Sequence, residues 1–120
     1  MQITGLDHSD VLTTVDRVSR ERYADNLAVV DSEGFRSPDM TFVALRTSVK
    51  SPDGPGARRE PDGGWSICRH AYRDVVDALL NVRPGVVIDT GWSRFSGQSD
   101  FRNHEFRGVF PGTCKCPEGQ

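Results

Sequence analysis

Lysine is almost missing from this chain: of 15 basic residues 13 are arginine, and only Lys50 and Lys115 are lysine. A marked excess of either charge is missing too, since 17 acidic residues leave a formal net charge of −2. That balance excludes a surface built to neutralise many phosphates at once, although a local basic patch is compatible with it. No apolar run approaches the roughly 18–20 residues that a bilayer-spanning helix needs. The opening MQITGLDHSD has neither a basic stretch nor an apolar core of the kind a secretory leader requires. Cysteine is scarce, and its count of 3 is odd. Without a leader, such cysteines are expected to be thiols or metal ligands rather than a disulfide framework. A cytosolic protein with no membrane association is the expectation.

What is present fits one small domain. The 120 residues leave room for one core and not for two. No internal repeat and no shift of composition divides the chain, so residues 1–120 are expected to form one unit. Isoleucine is confined to Ile3, Ile67 and Ile88, and Asp outnumbers Glu by 12 to 5. Arg, Gly, Ala, Pro and Val have GC-rich codons, whereas Lys and Ile lean to AT. The coding skew therefore points to a high-GC genome, that of an actinobacterium or one of its phages.

Periodicity supplies the elements. From Ser9 to about Tyr23, Val11, Leu12, Val15 and Val18 fall at spacings of three and four, the stripe of an amphipathic helix capped by Asp7 or Ser9. Leu27–Asp31 and Met40–Val49 read as strands joined by SEGFRSPD. Ser51–Gly64, SPDGPGARREPDGG, has almost nothing apolar and reads as a long mobile loop. The second helix runs from about Arg69 to Val82, with Ala71, Tyr72, Val75, Val76, Leu79 and Leu80 as its buried face. Ser66 is a candidate cap, and Arg83-Pro84-Gly85 ends the helix. Val86–Ile88 reads as a buried strand ending at Asp89, Glu105–Phe110 as a last strand, and residues 111–120 as a tail. Together these predict an α+β fold, two helices on one face of a mostly antiparallel sheet of about four strands.

Three constellations carry chemistry. Cys68-Arg69-His70 and Cys114-Lys115-Cys116 offer three thiolates and an imidazole, a donor set that suits structural zinc. On strands, residues two apart share a face, so Cys68 with His70 and Cys114 with Cys116 could reach one ion. The spacing of one residue departs from the usual two. The other reading makes Cys68 a core residue, His70 a surface imidazole and the tail cysteines free thiols, with no cofactor. Arg58 and Arg59 in GPGARRE lie between Asp53 and Glu60-Pro61-Asp62, a solvated loop rather than a phosphate cradle, since the Walker pattern is missing. Trp65 with Arg69, and Trp92 with Arg94, Phe95, Phe101 and Arg102, interleave aromatic rings with arginine. That pairing serves protein hot spots and also nucleotide stacking, and such rings can equally cap the end of a sheet. Catalysis has no comparable set. Asp7-His8-Ser9-Asp10 are too close in sequence for triad geometry, no serine sits in a nucleophile elbow, and His104-Glu105 reads as surface.

The pieces SPDGPGARR, CRHAYRDVV and FRNHEFRGVFPGTCKC, in that order, resemble small proteins encoded by mycobacteriophages and other actinobacteriophages. In those a GPGAR loop precedes a C-x-H-x-x-R-D helix and a C-x-C closes the chain. The resemblance covers about Ser51 to Cys116 and implies no activity. It implies a setting, a small accessory protein in an infected actinobacterial cell. The expectation is a non-enzymatic protein that binds a host macromolecule, a host protein first and nucleic acid or a nucleotide second. The second alternative would use Arg58, Arg59, Arg69, Arg94 and Arg102, in a helix–strand–strand–helix order that distantly resembles double-stranded RNA binding domains.

Overall fold

The computed structural model describes residues 2–36, 41–59, 65–89 and 94–96. The chain enters as β1 (Gln2–Thr4), turns at Gly5 and starts α1 (His8–Arg22). Asp7 is the cap. Its carboxylate accepts the N–H of Asp10 at 2.8 Å, while the Asp10 carboxylate accepts the N–H of Asp7 at 3.2 Å. This reciprocal capping box, here made by two aspartates, satisfies two of the donors that a helix start leaves open. Arg83 closes the corner: its guanidinium lies 3.1 Å from the Asp10 carboxylate and donates to the Gly5 carbonyl at 3.1 Å. The bond from the Asp7 N–H, and secondarily Arg83, hold the Asp10 carboxyl below its ordinary pKa.

Of the expected stripe, Val11, Val15 and Val18 are buried and Leu12 is half-buried. Beyond it the helix exit turns sharply through Ala24 and Asp25, both in the left-handed region at φ 49° and 62°. Buried Ser19 fastens this turn to the next strand, its hydroxyl donating to the Leu27 carbonyl at 3.2 Å and accepting the Leu27 N–H at 3.0 Å. The two strands that follow are β2 (Leu27–Arg36) and β3 (Thr41–Val49). The expected connection SEGFRSPD is largely strand, because Ser32–Arg36 pairs residue for residue with Leu45–Thr41 after an irregularity between Val29 and Asp31.

The rest of the chain comprises β4 (Ala57–Arg59), β5 (Trp65–Ile67), α2 (Arg69–Leu80), β6 (Val87–Asp89) and β7 (Arg94–Ser96). The α+β expectation is met. The main sheet runs β2-β3-β1-β6-β7 with antiparallel neighbours, and β4-β5 form a separate hairpin. Four strands, rather than two, thus lie between the helices. Three-residue β1 is the centre of the sheet: Ile3 pairs with Val43 on one side and Ile88 on the other. That row is buried in the same cluster as Val11, Val15, Val75, Val76 and Leu79 from the two helices. One residue along, Gln2 meets Ala44 and Asp89, and Gln2 and Asp89 are exposed. Alternation therefore puts both helices over one face.

The segment expected to be a mobile loop is tied down where it is described. Asn26, only 5% exposed, donates from Nδ2 to the carbonyls of Ser51 at 3.0 Å and Pro55 at 2.6 Å. Its Oδ1 accepts the Ser51 N–H at 2.7 Å, and its carbonyl accepts the Lys50 N–H at 2.7 Å. Two turns follow, closed by Gly54 N–H to Ser51 at 3.1 Å and Ala57 N–H to Gly54 at 3.3 Å. Gly56 has φ 82° and passes so close to Leu27 and Tyr23 that a Cβ would meet their side chains at 3.0 and 3.2 Å. Residues 60–64 of that expected loop, the expected strand Glu105–Phe110 and the tail 111–120 lie outside the described residues.

Two measurements check this packing. Replacing fully buried Leu79 with Ala should cost about 2–5 kcal/mol in denaturant unfolding, and a loss under about 0.5 kcal/mol would mean that this face is not the core. The Ser51, Ala57 and Cys68 amides should exchange slowly, and Asn26→Ala should expose the Ser51 amide while destabilising by about 1–3 kcal/mol. Fast exchange in the parent protein would overturn the clamp.

Candidate functional site

The Asn26 clamp sets where the hairpin leaves the body. In that hairpin Ala57 pairs with Ile67, Arg58 with Ser66 and Arg59 with Trp65. Ala57 is buried and Ile67 packs against the core, which anchors one end. The other end carries Arg59 and Trp65 directly opposite each other, where cross-strand side chains are in reach. Trp65 is 38% exposed and is the one exposed large apolar side chain among the described residues. The Arg59 guanidinium lies 2.7 Å from the Asp53 carboxylate, so the turn that Asn26 holds also steadies the arginine beside the indole.

The predicted binding residues separate on this scaffold. Arg59 and Trp65 come together. Arg69 is exposed at the first position of α2, just after β5. Arg58 does not belong to a solvated loop: it is only 5% exposed, on the opposite face of β4 from Arg59. Arg94 pairs in register with Asp89 on β7, in the main sheet rather than the hairpin. Trp92 and Arg102 lie outside the described residues.

The metal expectation loses its geometric premise at Cys68 and His70. They are not on a strand: Cys68 caps α2, its Sγ accepting the Ala71 N–H at 3.4 Å, and His70 is the second helical residue. Cys68 replaces Ser66 as the cap because the helix starts only after β5 has paired through Ile67. Both are inside, Cys68 at 1% and His70 at 8% exposure, so His70 is not the surface imidazole of the alternative reading. Cys114 and Cys116 lie outside the described residues. Among the described residues no three His, Cys, Asp or Glu side chains cluster as metal ligands, and no helix is long and apolar enough to cross a membrane.

Two residues that position the site escaped sequence reading. Asp53 looked like one charge among several in a loop, yet it holds Arg59. Asn26 carried only the signal of a polar residue between a helix and a strand, because its partners lie 25 and 29 residues on.

In a Cys114→Ser, Cys116→Ser background, Cys68 should react with a thiol reagent only at the rate of unfolding; fast labelling of folded protein would contradict its burial. Zinc analysis of tag-free protein tests the four-ligand alternative, which requires about one equivalent and a Tm lowered by chelator.

Comparison with protein-family models, with curated proteins and with solved structures returns no match for this chain.

Proposed function

We propose that this chain is a non-enzymatic accessory protein of the kind actinobacteriophages encode, and that it acts in the host cytosol by binding a host protein through the Trp65 end of the β4–β5 hairpin. The observation that carries this reading is Trp65, exposed and directly opposite Arg59. Trp and Arg dominate the energetics of protein contacts, since each joins a large apolar surface to directed hydrogen bonding. A small domain has little reason to leave its indole in water for stability alone, because burying it would be favourable.

Nucleic acid is the second reading, favoured by the succession of Trp65 and exposed Arg69. It has fewer cations to draw on than the sequence promised. Arg58 is buried, and Asp53 already neutralises Arg59.

Affinity capture from mycobacterial lysate, with and without nuclease, separates the two. A protein partner should survive nuclease and depend only weakly on salt, whereas phosphate-driven binding falls steeply as salt rises. Trp65→Ala should leave the fold intact and weaken the captured partner by about 30-fold or more, corresponding to a hot spot of about 2 kcal/mol. Equal capture by Trp65→Ala would sink the proposal.

A further inference from the structure

The main sheet ends at β2, which is 10 residues long and, among the described residues, pairs only with β3. In an antiparallel ladder the N–H and C=O groups of successive residues point by turns toward the partner strand and away from it. The bonds at the start of β2 fix which residues point away. Lys50 N–H donates to the Asn26 carbonyl at 2.7 Å, so that pair is hydrogen-bonded and the next, Leu27 with Val49, is not. The Leu27 N–H and carbonyl accordingly point outward, where the Ser19 hydroxyl takes both, at 3.0 and 3.2 Å. The irregularity between Val29 and Asp31 puts its extra residue in β2, because these two stand opposite the consecutive residues Thr47 and Arg46. Strand β3 thus keeps its alternation, and Leu45, Val43 and Thr41 share the orientation of Val49. Their partners Ser32, Gly34 and Arg36 therefore turn their backbone groups to the outer edge, as Leu27 does.

The two halves of this edge differ. Near Leu27, buried Ser19 occupies the outward groups and the irregularity bends the strand, and both devices oppose the addition of a further strand. From Asp31 to Arg36 the register with β3 is regular, and the outward groups of Ser32, Gly34 and Arg36 have no ladder partner among the described residues. That row is its own complement. Turned end for end about Gly34, it sets Ser32 opposite Arg36, Gly34 opposite Gly34 and Arg36 opposite Ser32, so every outward residue meets an outward residue.

We propose that the Ser32–Arg36 edge of β2 pairs antiparallel with the same edge of a second copy of this chain, about a two-fold axis through Gly34, and joins the two main sheets into one. Each facing pair exchanges two backbone bonds, about six in all. An axis perpendicular to the sheet keeps the same side up in both copies, so the helices of both lie over one face and the buried face continues across the junction. Any extended strand offers backbone groups, but the second copy brings the complementary row in a single register that satisfies all three outward residues. This contact is independent of the Trp65 reading, since β4 and β5 belong to a separate sheet.

Sedimentation of the full chain over a range of concentrations should show reversible association to a dimer. Amide exchange, followed at the same concentrations, reports the register. The outward Ser32 and Gly34 amides should exchange fast in dilute protein and slow markedly as the dimer forms, whereas the Glu33 and Phe35 amides, turned toward β3, should stay slow throughout. Gly34→Pro removes one outward N–H and leaves the ladder with β3 intact. It should weaken dimerisation at least about tenfold with little change in Tm, while Trp65→Ala should dimerise like the parent. A chain that remains monomeric up to about 1 mM overturns the proposal. So does a dimer in which the Ser32 and Gly34 amides exchange as fast as in dilute protein. Slow exchange of those amides in the monomer also overturns it, because another part of the chain then covers the edge. Dimerisation lost in Trp65→Ala and kept in Gly34→Pro moves the contact to the hairpin and sinks the edge. If Gly34→Pro does not fold, the exchange comparison alone decides.

Discussion

Most of the architecture meets at one buried side-chain amide. Asn26 uses both Nδ2 protons and its Oδ1 to hold the chain at Ser51 and Pro55, while its backbone bonds to Tyr23 and Lys50. Each bond adds only about 0.5–1.5 kcal/mol net, but losing the amide would strand several polar groups in an interior that penalises them. Around it the exit of α1 touches every layer. Ser19 latches β2, the Tyr23 hydroxyl reaches Asp74 on α2, and Gly56 slides under Tyr23 and Leu27. The hairpin that carries Trp65 is therefore an extension of the core and not an appendage.

This explains which parts were legible in the sequence. Both helices announced themselves because a helix needs only local periodicity and a cap, and Val75, Val76, Leu79 and Leu80 lie where their spacing puts them. Central β1 was invisible: Gln2-Ile3-Thr4 is too short to show alternation, and its place in the sheet comes from Val43 and Ile88, far along the chain. The bonds that hold residues 51–59 were not legible because apolar content was the measure of order, whereas they come from polar atoms of Asn26 and the hairpin ladder. The site divides in the same way. Residue type alone singled out Trp65 and Arg59. That they face each other depends on hairpin register, and the burial of Arg58 beside buried Ala57 departs from simple alternation, so no period-two reading would have found it.

Cys68 shows how one residue pattern can mislead about chemistry. C-x-H on a strand would put sulfur and imidazole side by side, but here the cysteine ends an extended segment and the histidine begins a helix. A thiol accepting a backbone N–H is a weak cap beside Asp or Ser. Its smallness and apolarity suit the 1% exposure of the site, where a carboxylate would carry a heavy desolvation cost. Packing thus accounts for the choice of residue at position 68.

The same economy bears on the proposed contact surface. Ordering a loop when a partner arrives costs conformational entropy that is subtracted from affinity. Here that cost is met during folding, by the Asn26 clamp, the two turns and the β4–β5 ladder. Asp53, fixed by the same turns, also restrains the Arg59 side chain before any partner is present. A Trp and an Arg already paired across the β4–β5 ladder can make a small area count for more than its size, because less ordering remains to be done. In a domain of 120 residues, that economy would suit the proposed contact with a host protein.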